Sequence, residues 1–252
     1  MSEPRSFRVE AVVLRHAEWG EADRLLTLYT RERGKVRAIA KGARKIRSRK
    51  AGHLEPFTRV TLQLARGHDL LIVTQADTLE AYLPIHEDLA RTSQAAYVAE
   101  LLDRFTYEDN IENTNIFCLL TAVLKRIEEQ ADPWLAIRYY EVHLLELLGY
   151  RPHLFECANC EREIKAENQF FSAAQGGVLC PECGPGFQGA WSVSMEALKH
   201  LRHFQRSTFN EAQRAHPAAE VQGEVEALLQ RYITHILERA LNSPAFIKQI
   251  TR

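Results

Sequence analysis

Four of the five cysteines stand in two Cys-x-x-Cys pairs, Cys157-Ala158-Asn159-Cys160 and Cys180-Pro181-Glu182-Cys183, with 19 residues between them. A two-residue spacer lets both sulfurs of a pair face one ion, and two such turns complete a tetrahedron. Four thiolates leave no open position for water, so the chemistry expected is one structural zinc ion rather than a catalytic one. Redox dithiols and buried structural cysteines are the alternatives that the spacing leaves open. Gly184 follows the second pair and eases a tight turn, whereas Glu161 stands at the matching place in the first. Cys118 lies apart in an apolar helical stretch, and His153 is expected near the ion or at the surface but not as a ligand. His53-Leu54-Glu55 fits half of a zinc-deaminase signature, but Leu179 takes the place of the proline that signature needs, so that chemistry is set aside.

The second chemical feature is charge. Arg31, Arg33, Lys35, Arg37, Lys41, Arg44, Lys45, Arg47, Arg49 and Lys50 fall within residues 31–50, opposed there by Glu32 alone. Such a run repels itself, and a phosphate backbone is its natural complement. Lys35, Arg37, Lys41, Arg44, Lys45, Arg47, Arg49 and Lys50 are therefore the candidate nucleic-acid contacts. With about six of them each neutralising a phosphate, log affinity should fall with log salt at a slope of roughly −4 to −5. Phosphate contacts read no sequence, and nothing in the chain resembles a recognition helix, so little base specificity is expected. Of the aromatic residues in this half (Phe7, Trp19, Tyr29 and Phe57), Trp19 is the one expected to be exposed, between Glu18 and Gly20. The charge is uneven over the whole chain: residues 1–80 hold 16 Lys/Arg against 10 Asp/Glu, and residues 81–252 hold 16 against 23. That asymmetry also points to a polyanion partner for the first part.

These side chains need elements to hold them. In residues 1–80 the segments Arg8–Arg15, Leu25–Thr30, Lys35–Lys41, Phe57–Arg66 and Leu70–Leu79 alternate apolar and polar residues, with Gly20, Gly34 and Gly67 between them. The period of two sends Val36, Ala38 and Ala40 to one face and Lys35, Arg37 and Lys41 to the other. Five short strands in so few residues suit a small closed barrel. The basic loop Gly42–Gly52 has no apolar cluster to pack it and is expected to be mobile. Helical spacing follows over 93–107, 115–130 and 133–148, the last opened by Asp132-Pro133 and stopped by Gly149. Residues 150–190 are turn-rich and hold the cysteine pairs. Helical spacing returns at 194–205 and along Val221, Val225, Leu228, Leu229, Tyr232, Ile233, Ile236 and Leu237, ending at Asn242-Ser243-Pro244. The fold class is α+β, divided as a barrel domain (1–80), a first helical part (81–150), a four-cysteine insert (151–190) and a second helical part (191–252).

At 252 residues, 46% hydrophobic and 26% charged, the chain has the composition of an ordinary globular protein. No apolar stretch is long enough for a membrane span and no secretory signal opens the chain, which makes the cytoplasm the expected compartment. Tyr29 stands where a phosphate-binding loop would need glycine ahead of Gly34-Lys35, and neither Gly-x-Ser-x-Gly nor His-Glu-x-x-His occurs. No enzymatic activity is expected.

Taken together, certain segments are similar to a known family. Leu28-Tyr29-Thr30-Arg31-Glu32-Arg33-Gly34-Lys35-Val36-Arg37 with Ala40-Lys41-Gly42-Ala43-Arg44 resembles the first domain of the bacterial RecO family of recombination mediators. So do Leu148-Gly149-Tyr150-Arg151-Pro152 ahead of Cys157, and Phe171-Ser172 with Gly176-Gly177-Val178-Leu179 ahead of Cys180. The resemblance spans about residues 7–240. It implies an OB-fold, a helical domain and a zinc-finger insert. It also implies binding of single- and double-stranded DNA, strand annealing, and work with RecR, RecF and the single-strand-binding protein to load recombinase in repair of DNA damage, in the cytoplasm at the nucleoid. By position it carries the family's basic loop onto Lys35, Arg37, Lys41, Arg44 and Lys45, and its zinc ligands onto Cys157, Cys160, Cys180 and Cys183. Two other readings of the residues stand beside it. One is a zinc-ribbon RNA-binding factor, and the other is a zinc-stabilised scaffold whose acidic helices bind proteins.

Overall fold

The structure, a computed structural model, describes residues 5–108, 114–238 and 241–244. The remainder, including residues 245–252 of the expected second helical part, lies outside the described residues. Packing groups the chain into two compact units, residues 1–131 with 241–252 and residues 132–240.

The first unit opens with five strands: β1 (Ser6–Trp19), β2 (Asp23–Thr30), β3 (Gly34–Ala40), β4 (Arg59–Arg66) and β5 (Leu71–Glu80). They close into a barrel in the order β1-β2-β3-β5-β4, with β3 and β5 parallel and every other neighbour antiparallel. Closure depends on the length of β1. Ser6 to Val12 pairs with β4, while Ala11 to Trp19 pairs with β2, and the register shifts between Val13 and Arg15. A bulge of this kind bends a strand and raises its twist, so one strand can serve two sides of the cylinder. The core is set by the period of two: Val36, Ala38 and Ala40 point inward with Val60, Leu62 and Leu64 of β4, all buried. Each fully buried Val or Leu side chain contributes about 1.5–3 kcal/mol relative to exposure.

Three helices complete the described part of this unit: α1 (Leu83–Glu87), α2 (Leu89–Phe105) and α3 (Thr114–Glu129). The Asp88 carboxylate caps α2 by accepting the Arg91 N–H. The α2 helix packs on β1 as well as on α3, so the helices are bound into the same unit as the barrel. The change from strand to helix near residue 80 is therefore not where packing divides the chain.

The second unit holds α4 (Trp134–Leu147), α5 (Met195–Arg206), α6 (Phe209–Ala212) and α7 (Ala219–Leu237) around a small sheet. That sheet has the order β7 (Gly177–Leu179), β6 (Gln169–Ser172), β8 (Trp191–Val193). The start of α4 lies at the expected place but one residue later in its details: Pro133 is the N-cap and not the first helical residue, and the Asp132 carboxylate ahead of it accepts the Trp134 N–H. Gly149 takes φ +83 and donates to Glu146 O while Tyr150 donates to Leu145 O, a pairing that satisfies the last carbonyls of the helix. Inside the unit, Arg138 and the fully buried Glu141 form an ion pair at 2.9 Å.

Candidate nucleic-acid interface and metal centre

The pleat of β3 puts its cations on the outer face as expected, but that face is not all solvent. The Lys35 ammonium is only 13% exposed and lies 2.5 Å from Asp103 Oδ1. It also donates to the carbonyls of Asp103 and Thr106 at the end of α2. Three C-terminal acceptors around one ammonium make Lys35, expected as a nucleic-acid contact, a structural anchor between β3 and the helix as well. Arg37 lies 3.6 Å from Glu108 at a half-exposed position. Arg31 and Arg59 share the Glu10 carboxylate, and the Arg33 guanidinium sits 4.0 Å from the centre of the Phe7 ring. The self-repulsion read from the local sequence is therefore offset in part by carboxylates from distant segments.

The loop after β3, read from sequence as lacking anything to pack it, is tied to the barrel at both ends. Ala43 is fully buried in the barrel core. Gly42 takes φ +67, which favours glycine, and its N–H donates to the Asp23 carboxylate at 2.7 Å. The Arg44 N–H donates to Ala22 O at 2.9 Å, and its guanidinium reaches Glu18 at 3.1 Å and Glu21 O at 3.4 Å. At the far end, Lys50 Nζ donates to Val73 O at 3.0 Å. Burial pulls the Lys50 pKa below the ordinary lysine value, with the Asp23 charge acting in the opposite sense.

What remains is a smaller set. Among the described residues, Lys41, Lys45, Arg47 and Arg49 are exposed cations whose side chains meet no carboxylate or hydrogen-bond acceptor. They stand on a loop fixed at both ends, so their charge is presented to solvent at little further ordering cost. Asp103 and Glu10 were not legible from the local sequence, since nothing near residues 31–50 points to them. Ile46, wholly exposed between Lys45 and Arg47, was visible as an apolar residue in a polar run.

The two cysteine pairs converge. The four sulfurs all lie within 4.8 Å of one another, and Cys160 Sγ and Cys180 Sγ are 3.9 Å apart. A tetrahedral zinc with Zn–S near 2.3 Å requires sulfurs about 3.8 Å apart, so the donor set and its spacing fit that ion. The two turns are built alike: the Glu161 N–H donates to Cys157 O at 2.9 Å and the Gly184 N–H to Cys180 O at 2.8 Å. Their glycine logic is the reverse of the one expected. Glu161 carries the left-handed backbone, φ +61, whereas Gly184 does not and is required for space. A Cβ at Gly184 would meet the Phe170 ring at 2.2 Å.

Around the sulfurs, donors favour thiolate. The Cys180 N–H donates to Cys157 Sγ at 3.3 Å, and the Asn159 amide to Cys183 Sγ at 3.4 Å. Arg162 matters most: its Nε donates to Cys160 Sγ at 3.3 Å while its other nitrogens grip Glu182 at 3.1 and 2.5 Å. That hydrogen bond, with help from the Arg162 backbone, draws the Cys160 thiol down to about 6. Sequence reasoning missed Arg162, although its place two residues after a ligand was a signal.

A small closed barrel with a cationic loop, followed by helices and a four-cysteine cluster, defines an α+β class of protein. Residues 1–82 match the family model described as Recombination protein O N terminal, and residues 86–245 match Recombination protein O C terminal. The DNA repair protein RecO of Roseiflexus sp. (strain RS-1) is 41% identical over 246 residues, which covers 98% of this chain and 86% of that protein. The protein of the same name from Dehalococcoides mccartyi (strain ATCC BAA-2266 / KCTC 15142 / 195) is 34% identical over 252 residues, 100% and 99% of the two chains. That from Symbiobacterium thermophilum is 33% identical over 243 residues, 96% of each. The chain belongs to the RecO family of DNA repair proteins. Among the described residues no helix is long and apolar enough to cross a membrane.

Proposed function

We propose that this protein is a nonenzymatic recombination mediator that binds single-stranded DNA, and double-stranded DNA as well, without reading its sequence. The barrel of residues 1–80 acts as an OB-fold, the two cysteine turns within residues 151–190 hold one structural zinc ion, and residues 81–150 and 191–252 form the helical parts. Membership in the RecO family and one observation carry this reading: exposed, unpartnered Lys41, Lys45, Arg47 and Arg49 on a loop fixed to the barrel. Arg37, Arg44 and Lys50 retain internal partners, while Lys35, at the end of β3 away from the loop, ties that strand to α2.

Annealing of complementary strands is opposed by the repulsion between their phosphates. A cationic surface that holds one strand lowers its charge toward the other, which is a sufficient cause for faster pairing. In the cell the protein works with RecR, RecF and the single-strand-binding protein to load recombinase on coated DNA, in the cytoplasm at the nucleoid. Zinc, when bound, supplies a crosslink between two turns; Cys157, Cys160, Cys180 and Cys183 would hold it and Arg162 would offset part of the negative charge.

The test is charge reversal of Lys41, Lys45, Arg47 and Arg49 together. Affinity for a short oligonucleotide and the rate of annealing should fall in step, with thermal stability kept. Annealing that persists at the original rate would refute the mechanism.

A further inference from the structure

The cationic loop carries one residue that charge does not explain. Ile46 has a relative exposure of 105%, which is a fully solvated isoleucine between Lys45 and Arg47. A second exposed apolar group stands at the same end of the barrel. Trp19 is 48% exposed at the close of β1, where the chain turns into β2. The shared end follows from register: Trp19 pairs with Asp23, and Arg24 pairs with Ala40, the last residue before the loop. The loop is then tied to that hairpin by the Arg44 N–H on Ala22 O, the Arg44 guanidinium on Glu18, and the Gly42 N–H on Asp23. The remaining aromatic residues of the barrel offer no such face, since Tyr29 and Phe57 are buried and Phe7 lies under Arg33.

We infer that Trp19 and Ile46 are contacts for the bases of single-stranded DNA, Trp19 as a stacking platform and Ile46 as an apolar wedge, set among the cations that hold the phosphates. The inference rests on the DNA-binding reading above and deepens it. Charge complementarity selects the occupant, because Lys41, Lys45, Arg47 and Arg49 on the loop that carries Ile46 repel a cationic partner, and a purely apolar partner would have to desolvate them. The bases of a single strand are free to stack on an indole, whereas those of a duplex are already stacked on one another. An isoleucine side chain can part a base step that is not held in a duplex. This arrangement gives a preference for single strands with no preference among bases.

The experiment compares fluorescence anisotropy of a dye-labelled thymidine oligonucleotide with that of an abasic oligonucleotide of equal length and charge, over a salt series. The wild-type protein should bind the thymidine strand about 5- to 100-fold more tightly than the abasic one, at the same salt slope. Trp19→Ala should remove most of that difference without changing the slope, Ile46→Ser should reduce it a few-fold, and Trp19→Phe should retain it. Both side chains are exposed, so thermal stability should be kept in all three variants. Equal wild-type affinity for the two oligonucleotides, or a Trp19→Ala variant that loses slope and keeps the base-dependent part, overturns the inference and leaves DNA binding standing. Absence of salt-dependent binding to either oligonucleotide instead removes the underlying reading together with this one.

Discussion

At the scale of single residues, the cations of residues 31–50 divide into those that hold the protein together and those that face outward. Lys35 belongs to the first kind, with its ammonium against Asp103 and two carbonyls of α2. Lys35→Glu places two carboxylates in that pocket, and a loss of about 3 kcal/mol in chemical denaturation is expected. The fourfold reversal at Lys41, Lys45, Arg47 and Arg49 should leave the denaturation curve in place. Glu161 and Gly184 make a second contrast. Glu161→Gly removes a non-glycine residue from the left-handed region and should add about 1 kcal/mol to the stability of the zinc-bound protein. Gly184→Ala drives a methyl group into the Phe170 ring and should lower it. The alternation that sends Lys35 outward was legible in the sequence, but its partner was not, because Asp103 follows 68 residues later and no local rule connects them. The cysteine turns show the same limit: the ligands were plain from spacing, while the φ values that assign different jobs to Glu161 and Gly184 depend on what packs nearby.

At the scale of elements, the long helices followed their apolar periodicity, since burial on one face is what fixes a helix in a folded chain. But α7 stops at Leu237, with Glu238 in the left-handed region, ahead of the expected Asn242-Ser243-Pro244, and the short α1 and α6 left no such pattern. The Gly149 stop and the Asp132 start were readable because caps are local. The loop after β3 was not, because its single apolar anchor, Ala43, is too small to stand out in a hydropathy pattern. For the metal centre, Arg162→Ala should weaken zinc affinity about 10- to 100-fold in a chelator competition, with the stoichiometry of one ion unchanged. A pH effect attaches to Glu100, which accepts the N–H groups of Asn242 and Ser243. Burial pushes its pKa up, but these hydrogen bonds and the Arg104 charge outweigh that and hold it below the ordinary carboxylate value. The tether is thus at full strength above the unfolded pKa of about 4.3 and is lost as pH falls through the lower folded value. The protection factors of the Asn242 and Ser243 amides, corrected for the intrinsic exchange rate at each pH, should fall on acidification through that value, and Glu100→Gln should show the low protection already at neutral pH.

For the molecule as a whole, the surplus of cations lies in the first 80 residues and the surplus of anions after them. That asymmetry survives in the structure, but some of the anions are spent on the cations. Asp103 serves Lys35 and Arg15, and Glu108 lies against Arg37. Counting only the four partnerless cations of the loop, four phosphates are neutralised, and the salt slope for a single strand becomes about −3 in place of the steeper value from composition. A slope near −1 or near −6 in titrations from low to moderate salt would show that a different set of residues meets the phosphates. The barrel was legible in outline from strand count and spacing, whereas the parallel pairing of β3 with β5 was not, since register between strands distant in sequence leaves no local mark.

The bent first strand has a consequence for biosynthesis. Its leading half finds its hydrogen-bond partner only in β4, which begins 40 residues after Trp19. At about 5–20 residues per second, a nascent chain leaves that edge open for roughly two to eight seconds while the ribosome delivers the missing side. During translation this edge is an open template for pairing, and a ribosome that stalls between β2 and β4 would release a fragment prone to pair with its own kind.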